Sequence, residues 1–227
     1  MSHDSASNKS PSVEHPCPLC GESRGEFFYA DRRDFFRCAN CEIVFVLPDQ
    51  FLSSREEKAV YDQHENSPDD QRYRQFLNRL LEPMVARLAP ESFGLDFGSG
   101  PGPTLSVMFE EAGHSMSIYD PFYAPDITPL SRQYDFITAT EVVEHLHRPM
   151  EELNRLWNCL KPNGWLGIMT KRVATQADFA TWHYKNDPTH VCFFSEETFQ
   201  WLAAYWKADL VVAGKDVVLF RKTFRCS

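Results

Sequence analysis

The chain has 227 residues, a net charge of −9 and 43% hydrophobic residues, which is an ordinary composition for a globular protein. This length allows one full-sized core with a small appendage. The acidic surface weighs against a general nucleic-acid binder and leaves only a local basic groove open. The longest apolar runs are too short to cross a bilayer, so we expect no membrane span.

Residues 1–14 are polar and lack the apolar core of a secretory signal, which predicts a disordered leader. The chain has seven cysteines, an uneven total. Without an export signal, this number indicates a reducing compartment and metal ligation rather than disulfides. We therefore expect a cytoplasmic protein.

Residues 15–48 contain two Cys-x2-Cys pairs, Cys17 with Cys20 and Cys38 with Cys41, which seventeen residues separate. The spacing is typical of a zinc ribbon, in which two tight turns close a tetrahedral thiolate cage. Four protein ligands leave no position for water or substrate, so the predicted zinc is structural. Free buried cysteines are the alternative. The remaining three cysteines are interpreted as core-packing residues: Cys159, Cys192 and Cys226.

The ribbon has a second possible role, docking of a macromolecular substrate. Between Lys9 and Leu47 it carries five basic and six acidic residues, a balance that attracts phosphate poorly. Arg32 and Arg33 stand beside aromatic residues, as in base-stacking platforms, and are the feature that favours docking.

Residues 49–90 predict a helical connector. A polar, helix-prone stretch over 53–70 breaks at Ser67-Pro68, and Pro83 is expected to kink or divide the helix that follows. Apolar residues recur in that helix at helical spacing: Phe76, Leu77, Leu80, Leu81, Val85 and Leu88. The alternative is a lid over a cofactor, with three side chains facing inward: Tyr61, His64 and Tyr73.

Residues 91–227 begin with a strand, a glycine turn and a helix. Phe93 to Phe97 predicts a buried parallel strand. A helical pattern then runs to Gly113, and an alternating strand ends at Asp120. Three glycines form the turn: Gly98, Gly100 and Gly102. This order predicts the nucleotide-binding half of a doubly wound, mostly parallel α/β sheet.

The glycine turn favours a nucleoside without phosphate. Pro101 and Pro103 have no backbone N–H, so the turn lacks amides that a pyrophosphate needs. Asp120 lies about twenty residues past the glycines, where a ribose diol is usually bound. The negative charge of Asp96 suits a sulfonium or ammonium group. S-adenosylmethionine combines these features.

The stretches LDFGSGPG, YDPF, YDFITATEVVEHL and LKPNGWLGIMT resemble the ordered motifs of class I S-adenosylmethionine-dependent methyltransferases over residues 70–222. The upstream cysteines resemble those of a bacterial subgroup of that superfamily. The resemblance implies a seven-stranded sheet. It also implies a set of cofactor contacts: Asp96, Gly98, Gly100, Gly102, Asp120 and Glu141.

One segment departs from the family pattern. Only thirteen residues separate Asp120 from Tyr134, too few for the helix and strand that the superfamily usually places there. We therefore expect the sheet to lack a strand on one edge, and Phe122 and Asp126 are both candidates for the adenine contact.

A strand is predicted from Tyr134 to Thr138, and the resemblance places Glu141 under the cofactor. Glu144 and His145 are interpreted as structural. Two alternating strands joined across Gly214 predict a closing antiparallel hairpin.

The stretch from Asp178 to Phe199 follows the fifth strand, where class I enzymes carry substrate-facing loops. His183 and His190 are candidate general bases, and Asp187 would orient one of them. The alternative is turn chemistry, in which Asp187 and Thr189 cap backbone groups and His190 fills a structural bond.

These patterns predict a methyltransferase that acts on a hydroxyl or amine of a small or medium-sized metabolite. One alternative is an RNA or protein methyltransferase that uses the ribbon for docking. The other is a non-catalytic, zinc-stapled protein that binds the cofactor.

Overall fold

The computed structural model describes residues 12–13, 15–23, 25–63 and 66–223. The strands are β1 (Ser12–Val13), β2 (Gly25–Ala30), β3 (Asp34–Cys38), β4 (Val44–Val46), β5 (Phe93–Phe97), β6 (Ser115–Tyr119), β7 (Tyr134–Thr140), β8 (Leu160–Met169), β9 (Cys192–Phe193), β10 (Asp209–Val212) and β11 (Val217–Arg221). The helices are α1 (Ser54–Tyr61), α2 (Gln71–Val85), α3 (Thr104–Glu111), α4 (Pro149–Asn158), α5 (Gln176–Thr181) and α6 (Glu196–Trp206).

The larger sheet has six strands in the order β10-β11-β8-β7-β5-β6. Strands β5, β6, β7 and β8 are parallel to one another. Strands β10 and β11 form the antiparallel hairpin predicted across Gly214, and β11 pairs antiparallel with β8. The predicted α/β class is confirmed. The seventh strand that the resemblance implied is not found among the described residues, because the segment after Asp120 holds only a bridge to Ala124 and a short 3-10 helix over Thr128–Ser131.

Helices cover both faces of this sheet, so it is doubly wound. On one face, α2 and α3 pack against Phe136, Met169 and Leu219. On the other face, α4 and α6 pack against strand residues such as Ile137 and Ile168. Helix α2 is continuous through Pro83 and ends two residues later, so the proline does not divide it.

The second sheet has the order β1-β2-β3-β4-β9 and is antiparallel throughout. Strands β2, β3 and β4 come from the cysteine-rich segment, whereas β9 lies within the stretch from Asp178 to Phe199 that was predicted to face the substrate. Strand β1 lies within the predicted leader, and the rest of that leader lies outside the described residues. Because β4 pairs with β9, the N-terminal unit and the end of the loop share one sheet.

Arg33 provides a second link between the N-terminal unit and the loop. Its Nη1 donates to the carbonyls of Pro188 and His190 at 3.2 and 2.9 Å. Its Nη2 donates to the carbonyls of Lys185 and Asp187 at 2.6 and 2.8 Å. A planar guanidinium can serve four carbonyls at once, which a lysine ammonium cannot do in this geometry. The arginine that the sequence suggested as a base-stacking platform therefore holds a loop.

We predict that Arg33→Lys loosens residues 185–190. Each hydrogen bond from a charged group contributes about 1.5–3 kcal/mol. Loss of the hydrogen bonds that only a guanidinium can make should therefore raise the rate of amide hydrogen exchange in this loop about tenfold or more. Hydrogen exchange followed by mass spectrometry measures this rate. Arg32→Lys, next in sequence and exposed, is the matched control, and equal exchange in the two variants would contradict the assignment.

Candidate functional site

A cleft of about 1110 Å³ lies at the carboxyl ends of the parallel strands. Parallel α/β sheets bind ligands at this edge, because the loops that leave neighbouring strands converge there. The walls combine the loops after β5, β6, β7 and β8 with residues of α1 and α2. Tyr61 and Tyr73, two of the three residues named for the lid alternative, line the cleft, whereas His64 lies outside the described residues.

The glycine turn forms one wall of the cleft. Gly98 and Gly100 have φ values of +75° and +66°, which side chains disfavour. A Cβ at Gly98 would also lie 2.3 Å from a methyl carbon of Val142. Gly102 does not line the cleft; its α-carbon packs against the backbone of Asn66 instead.

Asp120 follows β6 and ties the glycine turn to the next loop. Its Oδ2 accepts from the Gly100 amide at 3.0 Å, and its Oδ1 accepts from the amides of Phe122 and Tyr123. Oδ1 thus accepts twice, whereas Oδ2 keeps a further acceptor site for a hydroxyl of a ligand. Of the two adenine candidates, Phe122 lines the cleft, whereas the exposed Asp126 accepts hydrogen bonds from Thr128.

Asp96 lies beneath the glycine turn and not in the cleft wall. Its carboxyl accepts from Thr138 Oγ1 at 2.9 Å and from Ser106 Oγ at 3.4 Å. Burial raises the pKa of Asp96 to about 7, although these hydrogen bonds oppose the shift. The carboxyl therefore joins β5, β7 and α3, and its position is that of a support for the turn.

Glu141 and Glu144 lie just after β7. Glu141 lines the cleft with a left-handed backbone (φ 52°), and Glu144 is fully buried in the short helix Val143–His145. The Tyr184 hydroxyl lies within hydrogen-bond distance of a carboxyl oxygen of each glutamate, at 3.2 Å from that of Glu141, and its single proton can be donated to one of them at a time. Burial, reinforced by the Glu141 charge, raises the pKa of Glu144 to about 8.

The three candidate catalytic residues of the loop line the same cleft. His183 is exposed, and its Nε2 lies 3.1 Å from Lys171 Nζ. His190 is buried, with Nδ1 2.7 Å from the Tyr184 carbonyl and Nε2 3.8 Å from Asp187 Oδ2. Asp187 Oδ1 accepts from the amide and hydroxyl of Thr189. The turn chemistry that the sequence offered as an alternative is present, and it still leaves both imidazoles in the cleft.

The four N-terminal cysteines form one cluster, with their sulfurs all within 4.8 Å of one another. Sγ of Cys17 lies 3.5 Å from Sγ of Cys41, and Sγ of Cys20 lies 3.4 Å from Sγ of Cys38. A tetrahedral zinc site with bonds of about 2.3 Å has sulfur–sulfur edges of about 3.8 Å, so the donor set fits zinc. Cys159 and Cys192 are buried in the core as expected, and Cys226 lies outside the described residues.

Sequence reasoning gave no role at this cleft to Tyr184, which lines it, or to Arg33, which holds the loop from behind. Glu144 and His145, which are interpreted as structural from the sequence, lie directly after β7, where the carboxyl ends of the strands converge. No local pattern could reveal Arg33, because its partners lie more than 150 residues away.

A model of a methyltransferase domain family matches residues 63–213. A SAM-dependent methyltransferase from Archaeoglobus fulgidus is 16% identical with a TM-score of 0.52, over 66% of this chain and 94% of that one. The chain is also similar to one chain of a complex from Haloferax volcanii, between the Trm112 methyltransferase activator and a methyltransferase. The identity is 9% and the TM-score 0.51, over 77% of this chain and 100% of that one. No curated protein matches the chain.

Because the family model spans well over half of the 227 residues, the chain belongs to this methyltransferase family. The fold it shares with the Archaeoglobus protein is that of class I SAM-dependent methyltransferases, as the sequence motifs indicated. Within the described part of the chain, no helix is long and apolar enough to span a membrane.

We predict that Asp96→Asn flattens the dependence of stability on pH. Because the folded-state pKa is raised, the folded chain keeps a proton that the unfolded chain loses, and stability falls as pH rises from about 4 to about 7. Asparagine does not titrate, so the unfolding free energy of the variant minus that of the wild type should become more positive as pH rises from about 4 to about 7. Urea titrations at several pH values measure it.

The exposed Asp69→Asn is the matched control for this measurement. A constant difference between Asp96→Asn and the wild type from pH 4 to pH 7 would show that Asp96 titrates normally.

Proposed function

We propose that this methyltransferase transfers the methyl group of S-adenosylmethionine to a hydroxyl or amine of a small or medium-sized metabolite. The observation that carries the proposal is the single cleft in which the glycine turn, Asp120 and the loop over 183–190 meet. Its volume of about 1110 Å³ exceeds that of most single-ligand pockets, which supports a cofactor and an acceptor side by side.

The cofactor end of the cleft would be formed by the residues that the sequence singled out. Gly98 and Gly100 allow close approach, and Asp120 would accept from the ribose hydroxyls. Ser99 Oγ, Thr140 Oγ1 and Glu141 Oε1 are buried and without a hydrogen-bond partner among the described residues, which fits walls that bind a polar ligand. Asp96 and Gly102 would act from behind the turn.

The acceptor end would be formed by the loop residues His183, Asp187 and His190. When bound, S-adenosylmethionine supplies a methyl group on a sulfonium, which leaves as a neutral thioether. The acceptor atom forms the bond to carbon as the sulfur–carbon bond breaks, and its proton passes to an imidazole. His183 would take this role only after its contact with Lys171 opens, because a hydrogen bond from the ammonium occupies the Nε2 lone pair that must accept the proton. The role of the protein is mainly to align the two partners.

Docking of RNA or protein on the ribbon has less support. Arg33 is committed to four carbonyls of the loop. Arg37 pairs with Glu42 and lies over the Phe28 ring. A phosphate-binding surface needs cations that face outward and lack internal partners. Family membership in turn favours an enzyme over a non-catalytic scaffold.

Calorimetry with S-adenosylmethionine tests the cofactor site. Gly100→Ala should weaken binding by at least about tenfold, because the methyl group projects from a left-handed turn in the cleft wall. Gly113→Ala is the matched control: it carries the same type of strain (φ +88°) outside the cleft and should bind like the wild type. If the wild type does not bind, the proposed function fails.

An activity screen with a radiolabelled methyl donor identifies the acceptor class. We expect label in the low-molecular-weight fraction of a cell extract. Label confined to RNA or protein would overturn the metabolite proposal and favour the docking alternative.

We also propose that the cysteine cluster of the N-terminal unit, residues 15–48, binds structural zinc. Thiolate ligands of this kind persist in a reducing compartment, which supports a cytoplasmic location. Elemental analysis of Cys38→Ser should show a loss of most of the zinc, of which the wild type should hold about one ion per chain. Cys159→Ser, a change at a buried cysteine outside the cluster, should retain it. Unchanged zinc in Cys38→Ser would refute the site.

A further inference from the structure

A second group of potential metal ligands lies at the acceptor end of the cleft. Glu144, His145 and His190 each offer one donor atom, and the three atoms lie within 4.8 Å of one another. The group is separate from the cysteine cluster and differs from it in chemistry, because it offers two imidazoles and a carboxylate instead of four thiolates. His145 and His190 line the cleft, and their ring centroids lie 4.7 Å apart.

Both imidazoles are held as metal-binding histidines usually are. His190 Nδ1 lies 2.7 Å from the Tyr184 carbonyl, and His145 Nδ1 lies 3.2 Å from the Thr189 carbonyl. A carbonyl only accepts, so in each neutral ring Nδ1 carries the proton and Nε2 carries the lone pair. Hydrogen bonding of one ring nitrogen to a carbonyl fixes the tautomer and orientation of a metal ligand.

The acceptor atoms around these rings belong to three acidic residues, Glu141, Glu144 and Asp187, and the cations nearest to the group are Arg33 and Lys171. Glu144 is fully buried, and its Oε2 has no hydrogen-bond partner among the described residues. Oδ2 of Asp187 lies 3.8 Å from His190 Nε2, so two acceptors face each other. Glu141 adds a second carboxylate, because the Tyr184 hydroxyl lies within hydrogen-bond distance of both glutamates. The Lys171 ammonium is nearby, but it lies over the Tyr184 ring and beside His183.

We propose that Glu144, His145 and His190 bind a divalent metal ion. Two ligand atoms of such an ion, with bonds of about 2.1 Å, lie about 3.0 Å apart when adjacent and about 4.2 Å apart when opposite, so side-chain rotations that bring the three donor atoms closer by up to about 2 Å complete the site. Two imidazoles with one carboxylate suit first-row ions such as Mn²⁺, Fe²⁺, Co²⁺ or Zn²⁺ rather than Ca²⁺. Three protein ligands leave coordination positions that face the cleft.

The open positions indicate an acceptor that carries an oxygen ligand, such as a hydroxyl or carboxylate beside the methylated atom. This part of the inference rests on the proposed function, whereas the metal site itself does not. A hydroxyl held on a divalent ion loses its proton more readily, and that proton would pass to His183. His190 would then be a metal ligand and not the general base.

The test is a titration of the zinc-loaded protein with Mn²⁺, followed by the loss of the free-ion signal in electron paramagnetic resonance, and with Co²⁺, followed by absorption. Loading is limited to one zinc ion per chain, which fills the four-thiolate cluster, keeps both probes out of it and leaves the second group of ligands open. We expect one bound ion per chain in the wild type. Glu144→Gln and His190→Gln should each weaken binding by about tenfold or more, since each removes a ligand and even outer-shell changes cost that much.

Glu57→Gln is the matched control. Glu57 is also a carboxylate of the cleft wall with a histidine neighbour, His147 Nε2 at 2.8 Å, but it is not part of the ligand group. It should bind Mn²⁺ like the wild type. Zinc content and circular dichroism confirm that each variant is folded.

Wild-type protein that binds neither ion at millimolar concentration would overturn the metal site, as would variants that bind as tightly as the wild type. S-adenosylmethionine calorimetry on the same samples separates this failure from failure of the proposed function. Cofactor binding without bound metal removes only the present inference.

Discussion

The site depends on the parallel pairing of β5 between β6 and β7. Phe97 lies opposite Tyr119, and Asp96 lies opposite Thr138, so all three strands end at one level. The glycine turn, Asp120 and Glu141 leave the sheet from that level and meet in one cleft. The carboxyl of Asp96 strengthens the same register from inside, because it bonds to a neighbouring strand and to α3. A slip of one residue would turn each of these side chains to the other face of the sheet.

The end of the cleft that the loop over 183–190 forms has a different source of order. The loop over 183–190 contains only a short 3-10 helix, His183–Asn186, and its backbone carbonyls turn toward the N-terminal unit. There Arg33 donates hydrogen bonds to four of these carbonyls, Lys185 forms an ion pair with Asp31, and β9 pairs with β4. The N-terminal unit thus holds the loop in place, and the cysteine cluster belongs to that unit without lining the cleft.

The sequence was a good guide wherever a local pattern determined the structure. Strand β5 was predicted with its observed ends, since an apolar run before glycines has few other outcomes. The missing strand was anticipated from a simple limit of length. Contacts between distant segments left no such trace: the pairing of β4 with β9 and the carbonyl partners of Arg33 depend on tertiary packing alone. The position of Asp96 beneath the glycine turn could not be predicted either, because the amino-acid sequence does not show whether a residue beside a turn faces the cleft or is buried under it.

The six-stranded sheet ends at β6, a strand of five residues with one neighbour. A central strand is bonded on two sides, whereas an edge strand loses a single ladder when its neighbour is absent. The segment between Asp120 and Tyr134 can therefore vary in length during evolution at little cost to the core. Insertions there could add a strand, and deletions could remove one, while the order of the other strands and the cleft between them stay the same.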